Sequence, residues 1–282
     1  MTRKSHFWER KGFWGDLFTT LILFVIAIAF MFPIYWTFMM SIKQTVDALA
    51  SPPVWFFKPT FEHYLSVWGD GRFLKYGLNS LIVALSATFI GIALATPAAY
   101  VFARYKPRGQ KLLLFGILST RMIPQVTFMI PFFILFSQLR MLDTYPAIIL
   151  MHLTMILGFV TWMMRSYFLD IPPELEEAAL VDGCSHFQAF VRVILPIAAP
   201  GLATSAVFSF IYSWNEFLYS MIVTGTDTKT IPLGIYNWVA WEEVHWGELT
   251  TTAILAMIPV VIFYFFVQKA LVRGLTMGAV KG

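Results

Sequence analysis

The stretch "PPELEEAALVDGCSHF", residues 172–187, decides the interpretation of this chain, because it places acids and helix-forming residues between two long apolar segments. Its acids are Glu174, Glu176, Glu177 and Asp182. The two prolines that precede them suit the first turn of a helix, where the N–H that proline lacks has no partner anyway. Acids in that turn also complement the helix dipole. The stretch therefore predicts a short helix that begins at about residue 173.

The residues that follow predict a turn and a second helix. Gly183 supplies the left-handed conformation that commonly ends a helix. Ser185 and Gln188 have the spacing of a capping box, in which each side chain accepts a hydrogen bond from the backbone N–H of the other residue. The second helix is expected to run to about Ile194, just before Pro196. The whole passage is therefore predicted to be helix, glycine turn, helix.

The composition places the chain in a lipid bilayer. Hydrophobic residues make up 58% of it and charged residues only 13%, against roughly a quarter charged in soluble domains. A spanning helix needs about 20 consecutive apolar residues. Six stretches qualify: 17–40, 78–103, 112–137, 145–164, 198–222 and 250–268. The sequence predicts an all-α polytopic membrane protein with six transmembrane helices and a helix-turn-helix loop at residues 165–197.

The charges outside these spans predict the orientation. The spans leave an N-terminal tail (1–16) and a C-terminal tail (269–282) around a transmembrane domain (17–268). Most of the 20 Lys and Arg residues lie in the two tails and in the second and fourth loops. The positive-inside rule therefore places both tails and the 165–197 loop in the cytoplasm. The first span is longer than the apolar region of a signal peptide, so we expect it to be retained.

The predicted first helix of the loop has a surface suited to a protein groove. Ala178 and Ala179 are small, Leu175 lies on the same face, and Glu177 flanks them. A short helix of this kind can dock into a groove on another protein. The alternative is a helix lying on the inner leaflet. Such helices favour Lys and Arg on their polar face, and an anionic membrane surface would repel these acids.

At these residues the chain resembles a known family. Glu177-Ala178-Ala179, followed at fixed spacing by Gly183 and Val193-Ile194-Leu195-Pro196, resembles the EAA loop of ABC importer permeases, with valine where the family has isoleucine. Residues 214–217 ("WNEF") and 274–282 ("GLTMGAVKG") are similar to the carbohydrate-uptake branch, particularly the smaller permease subunit of maltose-type transporters. The resemblance covers most of the chain.

The resemblance implies an assembly and a set of coupling residues. This chain would be a subunit of a bacterial inner-membrane importer, paired with a second permease as a heterodimer, two ATPase subunits and an extracytoplasmic sugar-binding protein. ATP and Mg would bind the ATPase subunits, and this chain would bind no cofactor. The implied ATPase-coupling residues are Glu177, Ala178, Ala179, Asp182, Gly183, Leu195 and Pro196. Gly278 and Lys281 of the C-terminal tail would reach toward the ATPase dimer.

Polar residues inside the predicted spans suggest a pathway. At 1.5 Å per residue, Arg121 lies about 13 Å into the third span and Glu216 about 27 Å along the fifth. A charge near mid-membrane is costly, so we expect Arg121 to face a watery cavity or an acid. We predict that Arg121 and Asn215 line the translocation pathway, that Trp214 stacks on a sugar ring, and that Glu216 lies near the outer mouth.

Several features leave alternatives open. His152 is expected to be a packed or hydrogen-bonded structural histidine. The aromatic-rich outer loops suit either the lipid headgroup level or a docking surface for a partner. Prolines inside the spans suit either helix packing or a bundle that bends around a pathway.

Other functional classes fit the sequence less well. An ion-coupled secondary transporter, the alternative function, would be expected to carry acids near the bilayer centre. An intramembrane enzyme is disfavoured because the sequence contains neither H-E-x-x-H nor G-x-S-x-G. The phosphate-binding motif G-x-x-x-x-G-K-[ST] is also absent, so ATP use requires a partner. The single cysteine, Cys184, permits no intrachain disulfide, and nothing resembles a nucleic-acid-binding surface.

Overall fold

The computed structural model describes residues 13–239 and 244–277. Within this part the only β pairing is an isolated bridge between Val239 and Val244, and the rest of the regular structure is helical. The helices are α1 (Phe13–Ser41), α2 (Thr45–Ala48), α3 (Glu62–Gly69), α4 (Arg72–Arg104), α5 (Gln110–Met122), α6 (Val126–Gln138), α7 (Tyr145–Asp170), α8 (Glu174–Val181), α9 (His186–Ala189), α10 (Leu195–Ile197), α11 (Ala199–Asn215), α12 (Leu218–Val223), α13 (Ile231–Tyr236) and α14 (Trp246–Met277). A π-helical segment, Phe190–Ile194, joins α9 to α10.

The bundle is built around α4 and α7, which pack along each other more extensively than any other pair of described helices. Helix α11 packs against both, and α14 packs against α11. The buried apolar side chains form separate clusters along this bundle. One, which includes Tyr100, Phe168 and Phe190, lies where α4 and α7 meet the 172–197 passage. The predicted all-α fold is therefore confirmed, and its core is the α4–α7–α11 packing.

Four described helices are long and apolar enough to cross a membrane, and up to six spans result if each of two bent helix pairs counts as one. The third span, predicted at residues 112–137, is broken at Pro124, one of the helix breakers inside it. It consists of α5 and α6, which meet at 98°. Ile123 between them is extended because the ring of Pro124 disfavours a helical conformation in the residue before it.

The predicted fifth span, residues 198–222, is also interrupted. Helix α11 ends at Asn215, and Glu216 is extended before α12 begins at Leu218. The helical segment 186–197 joins α11 at an angle of 74° next to Pro200. The other prolines inside predicted spans, including Pro97 and Pro131, remain within continuous helices.

Helix α1 differs from the other long helices in its surroundings. It lies along α14, and none of its most apolar 18-residue window is buried inside the protein. A helix that is apolar all round and uncovered by protein suits contact with lipid. Helix α1 is therefore expected to lie at the lipid-facing edge of the bundle.

At the end of the bundle far from the 172–197 passage, Asp143 holds two loops together. Its carboxylate accepts hydrogen bonds from the backbone N–H groups of Gly225, Asp227 and Thr228 at 2.8–3.3 Å, and from the Thr228 hydroxyl at 2.8 Å. Partial burial by itself would raise the pKa of Asp143, but these donors outweigh it and lower the pKa to about 2. The carboxylate thus fixes residues 225–228 against the loop before α7.

Candidate functional site

Residues 172–197, which we call the elbow, form the predicted helix-turn-helix. Gly183 has φ +89°, and it ends α8 with two hydrogen bonds. The Gly183 N–H donates to the Leu180 carbonyl at 3.1 Å, and the Cys184 N–H donates to the Ala179 carbonyl at 3.0 Å. This is the Schellman arrangement, which satisfies the last carbonyls of a helix through one left-handed residue. The predicted glycine turn is confirmed.

The second half of the elbow begins with the predicted capping box. The Gln188 N–H donates to Ser185 Oγ at 3.3 Å, and the Ser185 N–H donates to Gln188 Oε1 at 2.9 Å. The helix then widens into the π-helical segment 190–194, where the Leu195 N–H donates to the Phe190 carbonyl. Pro196 has no backbone N–H and cannot donate an α-helical hydrogen bond. The wider turn of the π-helical segment comes immediately before α10, which contains this proline.

The two faces of α8 have different surroundings. The prediction that Ala178 and Ala179 belong to one exposed patch is wrong for Ala179. Ala179 is only 7% exposed, and α8 packs against the chain's own π-helical segment. Ala178 and Glu177 are exposed. Val181 on the same outward side is 87% exposed. The exposed residues of α8 therefore include Glu177, Ala178 and Val181, together with Leu175, which is 42% exposed.

The second half of the elbow also carries exposed residues. Phe187 is 74% exposed, and Pro196 and Asp182 are also exposed, whereas Leu195 is half-buried. We call Glu177, Ala178, Val181 and Phe187 the outward face of the elbow. A large apolar side chain that stays exposed outside the predicted spans marks a contact surface when it lies among others of its kind.

Glu176, which the sequence reasoning did not single out, attaches the elbow to the bundle. Its carboxylate lies 3.2 Å from Arg104 Nε, and both side chains are about nine-tenths buried. The Tyr100 hydroxyl donates a hydrogen bond to Glu176 Oε1, and Arg104 Nη2 donates to the Ile171 carbonyl at 2.9 Å. Glu176 and Ala179 are three residues apart and share the buried face of α8, but the sequence alone does not mark that face as the inward one.

The side chains of the "WNEF" motif lie in different environments. Trp214 is 3% exposed, stacks on Phe210, and donates from Nε1 to the Ala256 carbonyl of α14 at 3.2 Å. Asn215 is exposed and donates to the Ile211 carbonyl of its own helix at 2.8 Å. Glu216 is 6% exposed. In this structure Trp214 and Glu216 are therefore interior side chains, whereas Asn215 is available at a surface.

Glu216 holds the break between α11 and α12. Its carboxylate accepts hydrogen bonds from the N–H groups of Tyr219 and Ser220, the first turn of α12, at 2.8 and 3.1 Å. It also lies 3.3 Å from Nε2 of His152, whose Nδ1 is 2.6 Å from the Ser213 hydroxyl. His152 is fully buried, as expected for a hydrogen-bonded structural histidine. The estimate from a straight helix placed Glu216 at an outer mouth, but the broken helix turns it toward α7.

Arg121 lies in the last turn of α5, at the α5–α6 break, and is exposed. Its guanidinium lies 5.3 Å from the centre of the Phe159 ring, and it lines a cavity of about 150 Å³ together with Ser209 and Tyr212. Gln125, just after the break, donates to the Tyr212 hydroxyl. No acid pairs with Arg121 among the described residues.

The sequence reasoning missed Tyr212 and Ser209 as lining residues. The signal was a row of polar residues at spacings of three and four, along α11 and just beyond its end: Ser205, Ser209, Tyr212, Ser213 and Glu216. The predicted C-tail contacts, Gly278 and Lys281, lie outside the described residues. Within the described part, no group of three or more His, Cys, Asp or Glu residues is placed to hold a metal ion.

Comparison with known proteins gives a family and a fold. Residues 87–277 match the family model for the inner membrane component of binding-protein-dependent transport systems. A probable ABC transporter permease of Sinorhizobium fredii is 38% identical, with 96% of each chain covered. The diacetylchitobiose uptake permease DasC of Streptomyces coelicolor is 33% identical over 97% of this chain and 100% of its own. The trehalose transport permease SugB of Mycobacterium tuberculosis is 33% identical over 97% and 99%.

The fold comparison agrees with the sequence comparison. A chain of a bacterial ABC transporter involved in alginate import superposes with a TM-score of 0.75 over 95% of this chain and 100% of its own, at 24% identity. At that identity the likeness concerns the fold alone. The matched family region includes α7, the elbow and α11, the elements that carry the geometry described above. The chain is therefore a multi-pass membrane protein and belongs to the ABC importer permeases, the inner membrane components of binding-protein-dependent transport systems.

Proposed function

We propose that this permease subunit imports a sugar or sugar derivative, and that ATPase subunits which dock on its elbow drive the transport. The sugar cargo is supported by the names of the diacetylchitobiose and trehalose relatives and by the resemblance of the "WNEF" segment to carbohydrate importers. The proposed location is a bacterial inner membrane with both termini and the elbow in the cytoplasm, which the Lys and Arg distribution supports.

In the proposed assembly, other subunits complete the pathway, hydrolyse ATP and deliver the cargo. A second permease completes the pathway, and two ATPase subunits bind ATP and Mg. An extracytoplasmic binding protein delivers the cargo. The absence of a phosphate-binding motif in this sequence supports the division of labour. The C-terminal tail, with Gly278 and Lys281, is proposed as an additional ATPase contact.

The outward face of the elbow is the observation that carries the proposal. Val181 and Phe187 are 87% and 74% exposed, and the acid Glu177 lies one turn before Val181 on α8. The smallest residue of that face, Ala178, leaves room for a partner's backbone or side chain to approach. Apolar side chains with a flanking acid, presented by a short helix, suit a groove with a basic residue at its edge.

The inner face of the elbow explains how movement would reach the membrane helices. Glu176 connects α8 to Arg104 and Tyr100 at the end of α4, while the π-helical segment leads through α10 into α11. Helix α7 leads directly into the elbow at Ile171, so a displacement of the docked elbow is passed to all three helices that form the core. Closure of the ATPase subunits would tilt these helices, and the pathway would alternate between its inward and outward states.

The substrate pathway is proposed at the α5–α6 break. Arg121 and Tyr212 present hydrogen-bonding groups to a cavity, and Asn215 is exposed farther along α11. These groups suit sugar hydroxyls, which both donate and accept hydrogen bonds. Trp214 and Glu216 are buried here, so we assign them to holding α11 against α14 and α7. The ion-coupled alternative is not supported, because the Glu216 carboxylate is engaged as a helix cap.

The test is co-purification of the assembled transporter after charge is introduced on the outward face. Val181→Asp should abolish recovery of the ATPase subunit with the tagged permease, because the change places a carboxylate in the apolar contact. Val46→Asp is the matched control, since Val46 is 80% exposed at the opposite end of the bundle. The ATPase should remain with the control variant. Equal recovery in both variants would refute docking through this face.

A further inference from the structure

Lys43, two residues beyond the end of α1, is a buried cation that forms no ion pair with any other residue that the structure describes. The residue is 2% exposed. Its ammonium lies 5.2 Å from the ring centres of both Trp36 and Phe57. No carboxylate oxygen in the described parts of the chain comes within 4.0 Å of it. The two rings attract the charge through their quadrupoles, but they do not neutralise it.

Such an arrangement points to an anion from another molecule. Lysine is almost never fully buried unless it is paired, and removing an ammonium from water is costly when no opposite charge replaces the solvent. The side chain also borders a cavity of about 370 Å³, lined among others by Trp36, Met40, Asp47 and Trp246. That volume exceeds the roughly 150 Å³ cavity that admits benzene, so a polar headgroup fits in it.

The backbone around Lys43 is held in place by neighbouring elements. Its carbonyl accepts a hydrogen bond from Nε2 of the buried His63 at 2.9 Å, and His63 Nδ1 lies 3.3 Å from the Glu248 carboxylate of α14. The close approach requires glycine at position 247, where a Cβ atom would lie 2.2 Å from the imidazole ring. Lys43 is thus presented by α3 and α14 as well as by α1.

Among the described residues that line the cavity, one carries a positive and one a negative charge, and the two are not paired with each other. Lys43 and Asp47 both line it, yet no ion pair joins them. An anion alone would meet the Asp47 carboxylate as well as the ammonium. A zwitterion that carries an anion and a cation a few bonds apart would satisfy both. The headgroup of phosphatidylethanolamine has this pattern, with a phosphate and a primary ammonium.

We infer that this cavity binds the headgroup of a zwitterionic phospholipid, with the phosphate on Lys43 and the ammonium on Asp47. The lipid source is favoured over free phosphate by the position of the cavity. It lies at the end of α1, which packs against α14 on one side but has no buried residue in its most apolar window and so offers a surface for acyl chains. Trp36 and Trp246 line the cavity, and tryptophan is enriched at the headgroup level of membranes.

The test is native mass spectrometry of the full chain in detergent, titrated separately with phosphatidylethanolamine, phosphatidylglycerol and inorganic phosphate. We expect phosphatidylethanolamine to bind wild type best. Lys43→Gln should weaken its binding about tenfold or more, because a buried charged contact is lost. Lys43→Arg should retain binding, and Lys58→Gln should match wild type, because Lys58 is an exposed lysine of the same loop.

Asp47→Asn and inorganic phosphate test whether the bound group is a lipid headgroup or a free phosphate. Asp47→Asn should remove the preference for phosphatidylethanolamine over phosphatidylglycerol while both lipids still bind. Unfolding temperatures measured without added lipid establish that each variant is folded. Equal lipid binding by folded Lys43→Gln and wild type would overturn the site. An unchanged lipid preference in Asp47→Asn, or stabilisation by inorganic phosphate as large as that by lipid, would overturn the headgroup assignment.

Discussion

The adjacent acids Glu176 and Glu177 should behave in opposite ways when each is replaced by alanine. Glu176 is the inward carboxylate that contacts Arg104 and Tyr100, whereas Glu177 is exposed on the outward face. We predict that Glu176→Ala loosens the elbow from the bundle and that Glu177→Ala leaves the elbow as stable as in wild type while weakening ATPase docking.

The size of the expected effect on the local stability of α8 follows from the burial of the Glu176–Arg104 ion pair. Removing one partner of a buried ion pair costs about 3–5 kcal/mol. The Glu176 and Arg104 side chains retain 11% and 12% exposure, so we take the lower end, about 3 kcal/mol. Since each 1.4 kcal/mol is a factor of ten, local opening of α8 should become about 100-fold more frequent. An exposed residue away from such contacts changes stability by about 0.5 kcal/mol or less, so Glu177→Ala should alter opening by about twofold.

Hydrogen exchange measures this opening directly. The amides of Gly183 and Cys184 are bonded to Leu180 and Ala179, so a peptide covering residues 174–184 reports whether α8 and its turn are intact. Glu176→Gln should give an intermediate rate, because the amide retains an acceptor for the Tyr100 hydroxyl but leaves Arg104 without its charge partner. Wild-type protection in Glu176→Ala, or equal loss of protection in Glu177→Ala, would refute the assignment of the two faces.

Three further changes test other parts of the account. Gly183→Val should leave the protein inserted but uncouple ATP hydrolysis from uptake, because valine tolerates φ +89° poorly; wild-type uptake in proteoliposomes would contradict this. Arg121→Ala should abolish cargo-stimulated transport with normal assembly, and unchanged transport would remove Arg121 from the pathway. Asp143 has a folded-state pKa of about 2 against 3.8 without its partners, so it should contribute about 2 kcal/mol above pH 4 that is lost as the pH falls toward 2. Asp143→Asn should flatten the dependence of unfolding temperature on pH in that window, and an unaltered slope would contradict the assigned hydrogen bonds.

The elbow could be predicted in detail because its signals are local. The prolines at 172 and 173, Gly183 and the Ser185–Gln188 pair each specify backbone geometry within a few residues, and the structure reproduces the turn and the capping box. The exposed and buried faces of α8 were harder to predict. Three glutamates in one turn look alike in sequence, and only the position of Arg104 at the end of α4 distinguishes Glu176 from its neighbours.

The interior polar contacts could not be predicted from distances along ideal helices. The estimate for Glu216 assumed a straight span, but the chain is extended at Glu216, and the carboxylate turns back to cap α12 and meet His152. Pro124 similarly changes the third span into two helices at 98°. Breaks of this kind depend on whether neighbouring helices satisfy the freed backbone groups, which is a tertiary property.

The burial of Lys43, in the loop after α1, could not be predicted from the sequence either. In sequence this lysine is one of several basic residues near a span, and it gives no sign of burial. Its environment is created by Trp36, Phe57 and the cavity beside Trp246, which come from separate segments of the chain.

The central claim is that the outward face of the elbow lies in a groove of an ATPase subunit, and photo-cross-linking tests it most directly. A benzoylphenylalanine residue replaces Phe187 in the assembled transporter, with Phe56, 97% exposed at the opposite end of the bundle, replaced in a control. The account predicts an adduct with the ATPase subunit from position 187, with a yield that changes when ATP is added, and none from position 56. The claim would be contradicted if position 187 formed adducts only with lipid, or if both positions gave the same products.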